Sequence, residues 1–449
     1  MLPHRIFLQK NKFCCDFVSR FAILGGFCYF AVMLNLLKGR LIVVRVILLA
    51  AALGLIAIGI VTIYSVGHPA EAGDLANSAL RSASQSTNLW KKQVIFAAIG
   101  VVGFIAVNLV NYRRFGAVAG WLYAFVLLLL GVLLVDKIVD IPFVPVINYT
   151  RRWLRIGTAT TYLQVQPSEF CKLIYILALA WYLRYRSNYR NISALIGPFV
   201  LTLLPMILIL LEPDLGTVLL MMPILFAMLF VAGAKVKHLL IIIVLAAVVS
   251  PLLWHYMEDY QRIRISSVLL QNRWVQKKAE RYPALGKILV GKKFSIERWK
   301  GDWGYHLIRS KYAVASGGAK GYGFRRGPFI KYDFLPARHN DFIFAIIAHQ
   351  WGFWGCLGLL GLYAVVIGCG LEIAGHNTDP FGRLLAAGIV IMFAVEVIVN
   401  VSMTIGLMPI TGLTLPLVSY GGSSLLVSMA SVGLLNNVGR RRAFSVARK

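Results

Sequence analysis

Most of the side chains that could do chemistry lie in one polar, glycine-rich segment between long apolar runs, residues 302–352. It opens with Asp302, which is followed by Trp, Gly, Tyr and His at 303–306, a cluster suited to a membrane–water interface. A carboxylate there could act as the general base that takes a proton from an alcohol. The competing interpretation is a solvated loop aspartate, and without further context that interpretation is preferred.

A second candidate site opens the apolar run that begins near Ser168, within the sequence PSEFCK at 167–172. A proline suits the first turn of a helix, and Ser and Glu suit its N-terminus. Glu169 and Lys172 share one helix face and can form an ion pair. Spacing alone slightly favours a capped helix with a local ion pair, whereas charged groups at membrane depth often mark a functional site.

Three further stretches carry polar groups close to apolar runs. In EPDLGT, residues 212–217, Glu212 and Asp214 could bind a cation or a basic loop residue, although an acidic turn is more often structural. Asp341 stands where another apolar run begins and could cap its helix. Residues 400–424 interrupt apolar sequence with Pro and Gly. Such a stretch either lines a cavity or allows close helix packing.

The elements that position these groups are membrane helices. With 59% hydrophobic and 14% charged residues among 449, the chain is too apolar for a soluble protein. We therefore expect one all-α polytopic membrane domain. Runs of about twenty apolar residues can cross a bilayer. Ten such runs lie near 42–66, 94–112, 116–135, 168–185, 194–212, 217–234, 238–256, 342–371, 383–406 and 417–438. An eleventh span is possible at 21–37.

Charge predicts the orientation of the chain. Basic residues gather in the short loops after the second, fourth, sixth and eighth runs and in the tail, which places those loops in the cytoplasm. Residues 257–341, between the seventh and eighth spans, then form a long extracytoplasmic loop. The predicted divisions are an extension of uncertain role at 1–41, the transmembrane domain at 42–438 and a basic cytoplasmic tail at 439–449.

The net charge of +28 is largely explained by these helix-end clusters, which makes nucleic acid the weaker candidate partner. The remaining excess lies in the long loop. There it could attract anionic lipid headgroups or an anionic substrate. A solvated basic face is the alternative.

Six blocks of sequence, taken in order, resemble the shape, elongation, division and sporulation family of polytopic peptidoglycan polymerases, typified by RodA and FtsW. The resemblance covers nearly everything after about residue 42. The blocks are RRWLRIG (151–157), QPSEFCK (166–172), EPDLGT (212–217), DWGYHLIRSKYAVASGG (302–318), FLPARHNDFIFAIIA (334–348) and GLTLPLVSYGGSS (412–424).

The resemblance implies a glycosyltransferase that polymerises lipid II, the undecaprenyl-pyrophosphate-linked disaccharide-peptide, into β-1,4 glycan strands. It implies work at the outer face of the bacterial cytoplasmic membrane, with a class B penicillin-binding transpeptidase as partner. Asp302 matches the family's essential acidic residue, the base for the acceptor hydroxyl. Basic loop residues, with or without a divalent cation such as Mg²⁺ or Mn²⁺, would stabilise the leaving pyrophosphate. The substrate-binding or supporting residues are Glu169, Lys172, Arg152, Asp214, Lys311, Arg338, His339, Asp341 and Ser419.

The glycine pattern and the Arg-His pair at 338–339 resemble the elongation branch, although division or sporulation roles stay open. The sequence departs from the family where DWGY shortens the usual Asp-containing loop motif. It also has Ala337 and Asn340 for a usual Glu and Thr, and His349-Gln350 for a Glu pair. These losses of carboxylate put metal binding and full activity in question. We expect a divergent polymerase, with a lipid II flippase or a non-catalytic scaffold for a transpeptidase as the rivals.

Overall fold

The computed structural model describes residues 41–70, 88–136, 139, 143–145, 151–157, 162–185, 192–332 and 334–440. The apolar run at 21–37, residues 1–40 of the predicted extension and the tail after Arg440 lie outside these ranges. The eleventh span and the three predicted divisions of the chain therefore stay predictions.

Each of the ten predicted apolar runs contains a helix. Before the long polar segment come α1 (Leu41–Gly67), α2 (Leu89–Leu109), α3 (Tyr112–Val135), α4 (Pro167–Leu183), α5 (Ile196–Leu211), α6 (Leu215–Val231) and α7 (Val236–Tyr256). A two-stranded antiparallel hairpin precedes α4, formed by β1 (Leu154–Gly157) and β2 (Tyr162–Val165), with Leu154 opposite Val165. This hairpin is the departure from the predicted all-α architecture within the described residues.

The predicted long loop is itself folded. It contains α8 (Asp259–Leu269), α9 (Arg273–Arg281), α10 (Pro283–Val290) and α11 (Tyr305–Gly317), with a π-helical turn at Trp299–Trp303 immediately before α11. Leu270, Val290, Phe294 and Trp299 are buried together and form a small core of its own. The segment predicted as a long loop is therefore built of short helices, while its place outside the membrane stays a prediction.

Three helices complete the chain: α12 (Ile343–His376), α13 (Pro380–Ile405) and α14 (Gly422–Arg440). Most of the side chains of α13 are buried, and this helix packs against α4, α6, α11 and α12. Proline occupies the first turn of both α4 and α13, where its missing N–H and fixed φ cost nothing. The bundle therefore places α4 against α13, the two helices that carry the buried charges.

Among the described residues, five helices are long and apolar enough to cross a membrane: α1, α2, α3, α12 and α13. Helices α5 and α6 and residues 236–252 of α7 are apolar but shorter. The protein is thus an integral membrane protein, as composition predicted. The number of ten spans and the placement of the loops outside stay predictions.

Glycines form the tight turn that follows α11. Gly318, Gly321, Gly323 and Gly327 all have positive φ, which a residue with a side chain seldom adopts. A Cβ on Gly321 would collide with the backbone of α12 at Gln350. This close approach of two main chains holds the C-terminal end of α11 against α12. It thereby also positions the π-helical turn at the other end of α11.

Candidate active site

Three charged side chains are buried together between α4 and α13. The ammonium Nζ of Lys172 lies 2.8 Å from Glu169 Oε2 and 2.7 Å from Glu396 Oε1. Relative exposures are 8% for Glu169, 1% for Lys172 and 4% for Glu396. The predicted Glu169–Lys172 pair is therefore confirmed. We call these three residues the buried ion cluster.

Glu396 is a partner that sequence reasoning missed. It is an isolated carboxylate inside the apolar run 383–406, and that isolation was the available signal. Helical spacing links residues three or four apart, whereas Glu396 lies 224 positions from Lys172. Because its charges pair directly, the buried ion cluster ties α4 to α13.

Asp214 caps α6, in agreement with the structural interpretation of its turn. Its carboxylate accepts hydrogen bonds from Ser168 Oγ at 2.9 Å and from Thr217 Oγ1 at 3.0 Å. Arg152 donates from Nε to the carbonyl oxygen of Glu212 at 2.8 Å and also binds the carbonyl of Pro213. These bonds hold the α5–α6 turn against the start of α4 and the β-hairpin.

The prediction that Asp341 caps α12 is wrong. Turns occupy residues 335–342, so the cap position falls on Phe342, which makes no side-chain cap. Asn400 Nδ2 instead donates to the main-chain oxygen of Asp341 at 3.0 Å. Burial raises the pKa of the Asp341 carboxyl to about 6, against the opposing effect of the Arg264 guanidinium. The charge of Asp214 raises the pKa of Asp341 further, and the charge of Arg152 lowers it, so all three groups act electrostatically on this carboxyl.

Asp302 lies in the π-helical turn before α11 and is exposed. It is close enough to His306 to raise the pKa of that imidazole, although burial and the charge of Arg264 lower it more. The His306 ring is parallel to the ring of Phe342, with 6.2 Å between centroids. Its buried Nδ1 has no hydrogen-bond partner among the described residues. His306 is therefore a neutral base near pH 7 with an unused nitrogen.

Arg264 relates the pair Asp302 and His306 to the group formed by Asp341, Asp214 and Arg152. Arg264 acts electrostatically on both His306 and Asp341, so the exposed aspartate and the half-buried one belong to one arrangement. Sequence reasoning did not single out Arg264 or His306, although His306 lies within a block that it quoted. We call the set the arginine–aspartate cluster; its members are Arg152, Asp214, Arg264, Asp302, His306 and Asp341.

Three predicted supporting residues join the segments around Asp341. Ser419 Oγ donates to the carbonyl of Asn340 at 2.8 Å. The main-chain N–H of Tyr420 donates to the carbonyl of His339 at 2.9 Å, and the two rings meet edge to face. Arg338 donates to the carbonyl of Phe329 at 3.2 Å. These contacts position the chain that carries Asp341.

Comparison with known proteins identifies the family. The model of the FtsW, RodA and SpoVE family, described as cell cycle proteins, matches residues 44–443. The chain belongs to this family. It is 32% identical to a peptidoglycan glycosyltransferase RodA of Treponema pallidum, over 88% of this chain and 97% of that protein. It is 33% identical to the peptidoglycan glycosyltransferase MrdB of Escherichia coli K12, over 80% and 88%.

A solved structure extends the comparison to the fold. One chain of a peptidoglycan synthase complex, described for its coordination of polymerization and crosslinking, superimposes with a TM-score of 0.66. That chain is 30% identical to this family member, and the match covers 88% of this chain and 96% of the other.

Within the ranges that the structure describes, this FtsW/RodA/SpoVE-family protein has no group of three His, Cys, Asp or Glu side chains placed as metal ligands. Asp214 accepts two hydroxyl hydrogen bonds, and the charges that act on Asp341 include two guanidinium groups, those of Arg152 and Arg264. A divalent cation at this site stays a prediction.

Lys311 lies apart from these groups. Its Nζ donates to Gln271 Oε1 at 2.8 Å on an exposed face of α11. The structure thus connects Asp302, Asp214, Asp341 and Arg152 among the predicted residues, and assigns Lys311 to a different surface.

Proposed function

We propose that this protein is a peptidoglycan glycosyltransferase that polymerises lipid II into β-1,4 glycan strands at the outer face of the bacterial inner membrane. Family membership over almost the whole chain and the names of its relatives support the reaction class. The single observation that carries the proposal is the placement of exposed Asp302 near His306, an imidazole on which Arg264 also acts, immediately before α11, which packs against two helices that can span a membrane.

The geometry suits attack by a sugar hydroxyl on an activated donor. Asp302 takes the proton of the acceptor hydroxyl as its oxygen bonds to the anomeric carbon of the donor, and the bond to the lipid pyrophosphate breaks. The leaving pyrophosphate carries the negative charge away. Arg264 and Arg152 oppose that charge from fixed positions, which lowers the barrier if the donor lies over the arginine–aspartate cluster.

Neutral His306 supports the base, because an uncharged ring beside Asp302 does not draw the carboxylate away from the acceptor hydroxyl as an imidazolium would. The exposed position of Asp302 leaves room for both sugars. No described residue forms a direct ion pair with Asp302, so its carboxylate can receive the proton.

We place the protein in the elongation branch, where it would serve cell shape. The support is the Arg338-His339 pair, the glycine pattern after α11, and relatives named RodA and MrdB. A class B penicillin-binding transpeptidase is the expected partner, in keeping with the synthase complex that contains a related chain. The alternative within the family is a division polymerase of the FtsW kind.

The test is polymerisation of purified lipid II by the purified full-length protein, alone and with its transpeptidase. Asp302→Asn is compared with Glu297→Gln, because Glu297 is another exposed carboxylate of the same segment. We expect glycan strands from the wild type and from Glu297→Gln, and at least about a hundredfold less from Asp302→Asn. No product from any of the three folded proteins would favour a scaffold or a flippase.

A further inference from the structure

A second polar cavity lies in the folded loop, away from the arginine–aspartate cluster. It has a volume of about 430 Å³ and is bounded by α9, α11 and the π-helical turn. Arg273, Lys277, Lys300 and Lys311 line it, and no acidic side chain does. We call it the basic cavity. It concentrates four positive charges around one space that can receive a ligand.

Within the described part of the chain, the four cations of the basic cavity have no direct carboxylate partner. Among the described residues, no carboxylate forms an ion pair with Arg273, Lys277 or Lys300, and Lys311 bonds only to the neutral amide of Gln271. Arg273 and Lys277 are four residues apart on α9, so both stand on the same face and repel each other. An anion in the basic cavity would relieve this repulsion.

Apolar and aromatic side chains form part of the wall of the basic cavity. Trp299 is 3% exposed and Leu307 is fully buried, and both line the space beneath the cationic groups. Tyr312 lies at the rim and is 60% exposed. A ligand with an anionic head and an adjoining apolar part matches this combination better than a fully hydrated inorganic anion does.

The basic cavity also lies level with the end of a membrane helix. Gln271, which holds Lys311, donates from Nε2 to the carbonyl of Gly406 at 2.8 Å. Gly406 is the residue that terminates α13, a helix long and apolar enough to span the bilayer. The next residue, Leu407, is an apolar side chain with 70% exposure. The phosphates of bilayer lipids lie at this depth, just beyond the ends of spanning helices.

We propose that the basic cavity binds the phosphate-bearing headgroup of a membrane lipid. The guanidinium of Arg273 can grip two phosphate oxygens, and the three lysines add point charges around the others. The source of the phosphate is either an anionic phospholipid of the bilayer or a polyprenyl pyrophosphate. The basic cavity is separate from the arginine–aspartate cluster, because none of its four cations belongs to that cluster; only the polyprenyl pyrophosphate source rests on the proposed function.

The experiment is native mass spectrometry of the full-length protein in detergent, titrated with phosphatidylglycerol. The variant Arg273→Gln/Lys277→Gln/Lys300→Gln is compared with Arg281→Gln/Lys293→Gln/Lys320→Gln. The control variant also loses three positive charges, one arginine and two lysines, but from exposed positions outside the basic cavity. At about a fivefold loss per removed cation near the surface, we expect phosphatidylglycerol to bind the cavity variant about a hundredfold more weakly, and the control variant within about threefold of the wild type.

Competition identifies the source of the phosphate. Displacement of phosphatidylglycerol from the wild type by equimolar polyprenyl pyrophosphate, with no such effect in the cavity variant, would support the site and assign it to the pyrophosphate lipid. Failure of that displacement, with the variant difference intact, would support the site and assign it to bilayer phospholipid. Equal loss of binding in the two variants, or no loss in either, would overturn the proposal. Displacement by inorganic phosphate at the same concentration would also overturn it.

Discussion

The buried ion cluster and the arginine–aspartate cluster are built from the same kinds of side chain, yet they differ in how the charges are paired. In the buried ion cluster one ammonium contacts two carboxylates at 2.7 and 2.8 Å. In the arginine–aspartate cluster, Arg264 and Asp341, both in the described part of the chain, interact without a direct ion pair. The comparison indicates that directly paired charges build the bundle, whereas incompletely paired charges stay available for a substrate.

Burial explains why the two arrangements are kept distinct. A charge removed from water must be paired closely, because an unpaired one costs several kcal/mol in a low-dielectric interior. A group at the edge of the protein keeps part of its hydration, so it can remain without a direct partner at little cost. Exposed Asp302 and half-buried Arg264 meet this condition, and fully buried Lys172 does not.

The largest effect is expected from Lys172→Met. This change leaves Glu169 and Glu396 facing each other in the bundle without a cation, and breaking a buried pair costs about 3–5 kcal/mol. We expect the variant to lose most of its folded yield, measured by size-exclusion chromatography after heating. Adding Glu169→Gln and Glu396→Gln to the same protein removes the uncompensated charges and should restore much of the yield. A wild-type melting temperature for Lys172→Met alone would contradict the structural role of the buried ion cluster.

Next in size is the loss of activity in Arg264→Gln. Removing one preorganised group that stabilises developing charge lowers the turnover number by about 10²- to 10³-fold. The measurement is the initial rate of lipid II polymerisation per folded molecule. Arg262→Gln is the matched control, because Arg262 lies on the same helix but donates to the carbonyl of His255. Equal rates for the two variants would show that the position of Arg264 is unimportant.

A smaller effect is expected for His306→Gln, about tenfold in rate, because glutamine keeps a polar group but cannot titrate. Burial and Arg264 hold the pKa of His306 below its ordinary value of 6.5. The wild type should therefore lose activity as the pH falls through that lowered pKa, since a positive ring then stands beside Asp302. The rate of the variant should change less over the same interval. Parallel pH–rate profiles for the two proteins would show that the titration of His306 does not affect polymerisation.

The smallest effect concerns stability, in Asp341→Asn. The Asp341 pKa is raised from 3.8 to about 6, so the folded protein binds more protons there than the unfolded chain between these values. The free energy of unfolding contributed by this group is therefore highest below about pH 4 and falls as the pH rises to about 6. Melting temperatures measured across this interval should fall less steeply for Asp341→Asn than for the wild type. A steeper fall in the variant would contradict the raised pKa.

The positions of the membrane helices could be predicted because they depend on length and apolarity along the chain, which are local properties. The same holds for the Glu169–Lys172 pair, whose spacing fixes a common face. The folding of residues 257–341 was only partly predictable, since alternation of apolar and basic residues indicates short helices without showing how they pack. The π-helical turn that carries Asp302 had no local signal.

The partners of the site residues could not be predicted, because they come from distant parts of the chain. Glu396 on α13 forms an ion pair with Lys172 on α4. Arg264 on α8 acts electrostatically on Asp341. Asp341 is a case in which a local pattern gave a wrong prediction. Its place before an apolar run predicts an N-cap, but the turns before α12 shift the cap position to Phe342. Sequence patterns identify which residues carry charge, and packing decides which of them meet.

The most direct test of the central claim measures lipid II polymerisation and melting temperature together in Asp302→Asn and Glu396→Gln. We expect Asp302→Asn to abolish polymerisation at an unchanged melting temperature, because Asp302 is exposed and takes part in the chemistry. We expect Glu396→Gln to lower the melting temperature while the folded fraction still polymerises. Polymerisation by Asp302→Asn at the wild-type rate, or full loss of activity in stably folded Glu396→Gln, would contradict the separation between a site for chemistry and a cluster that builds the bundle.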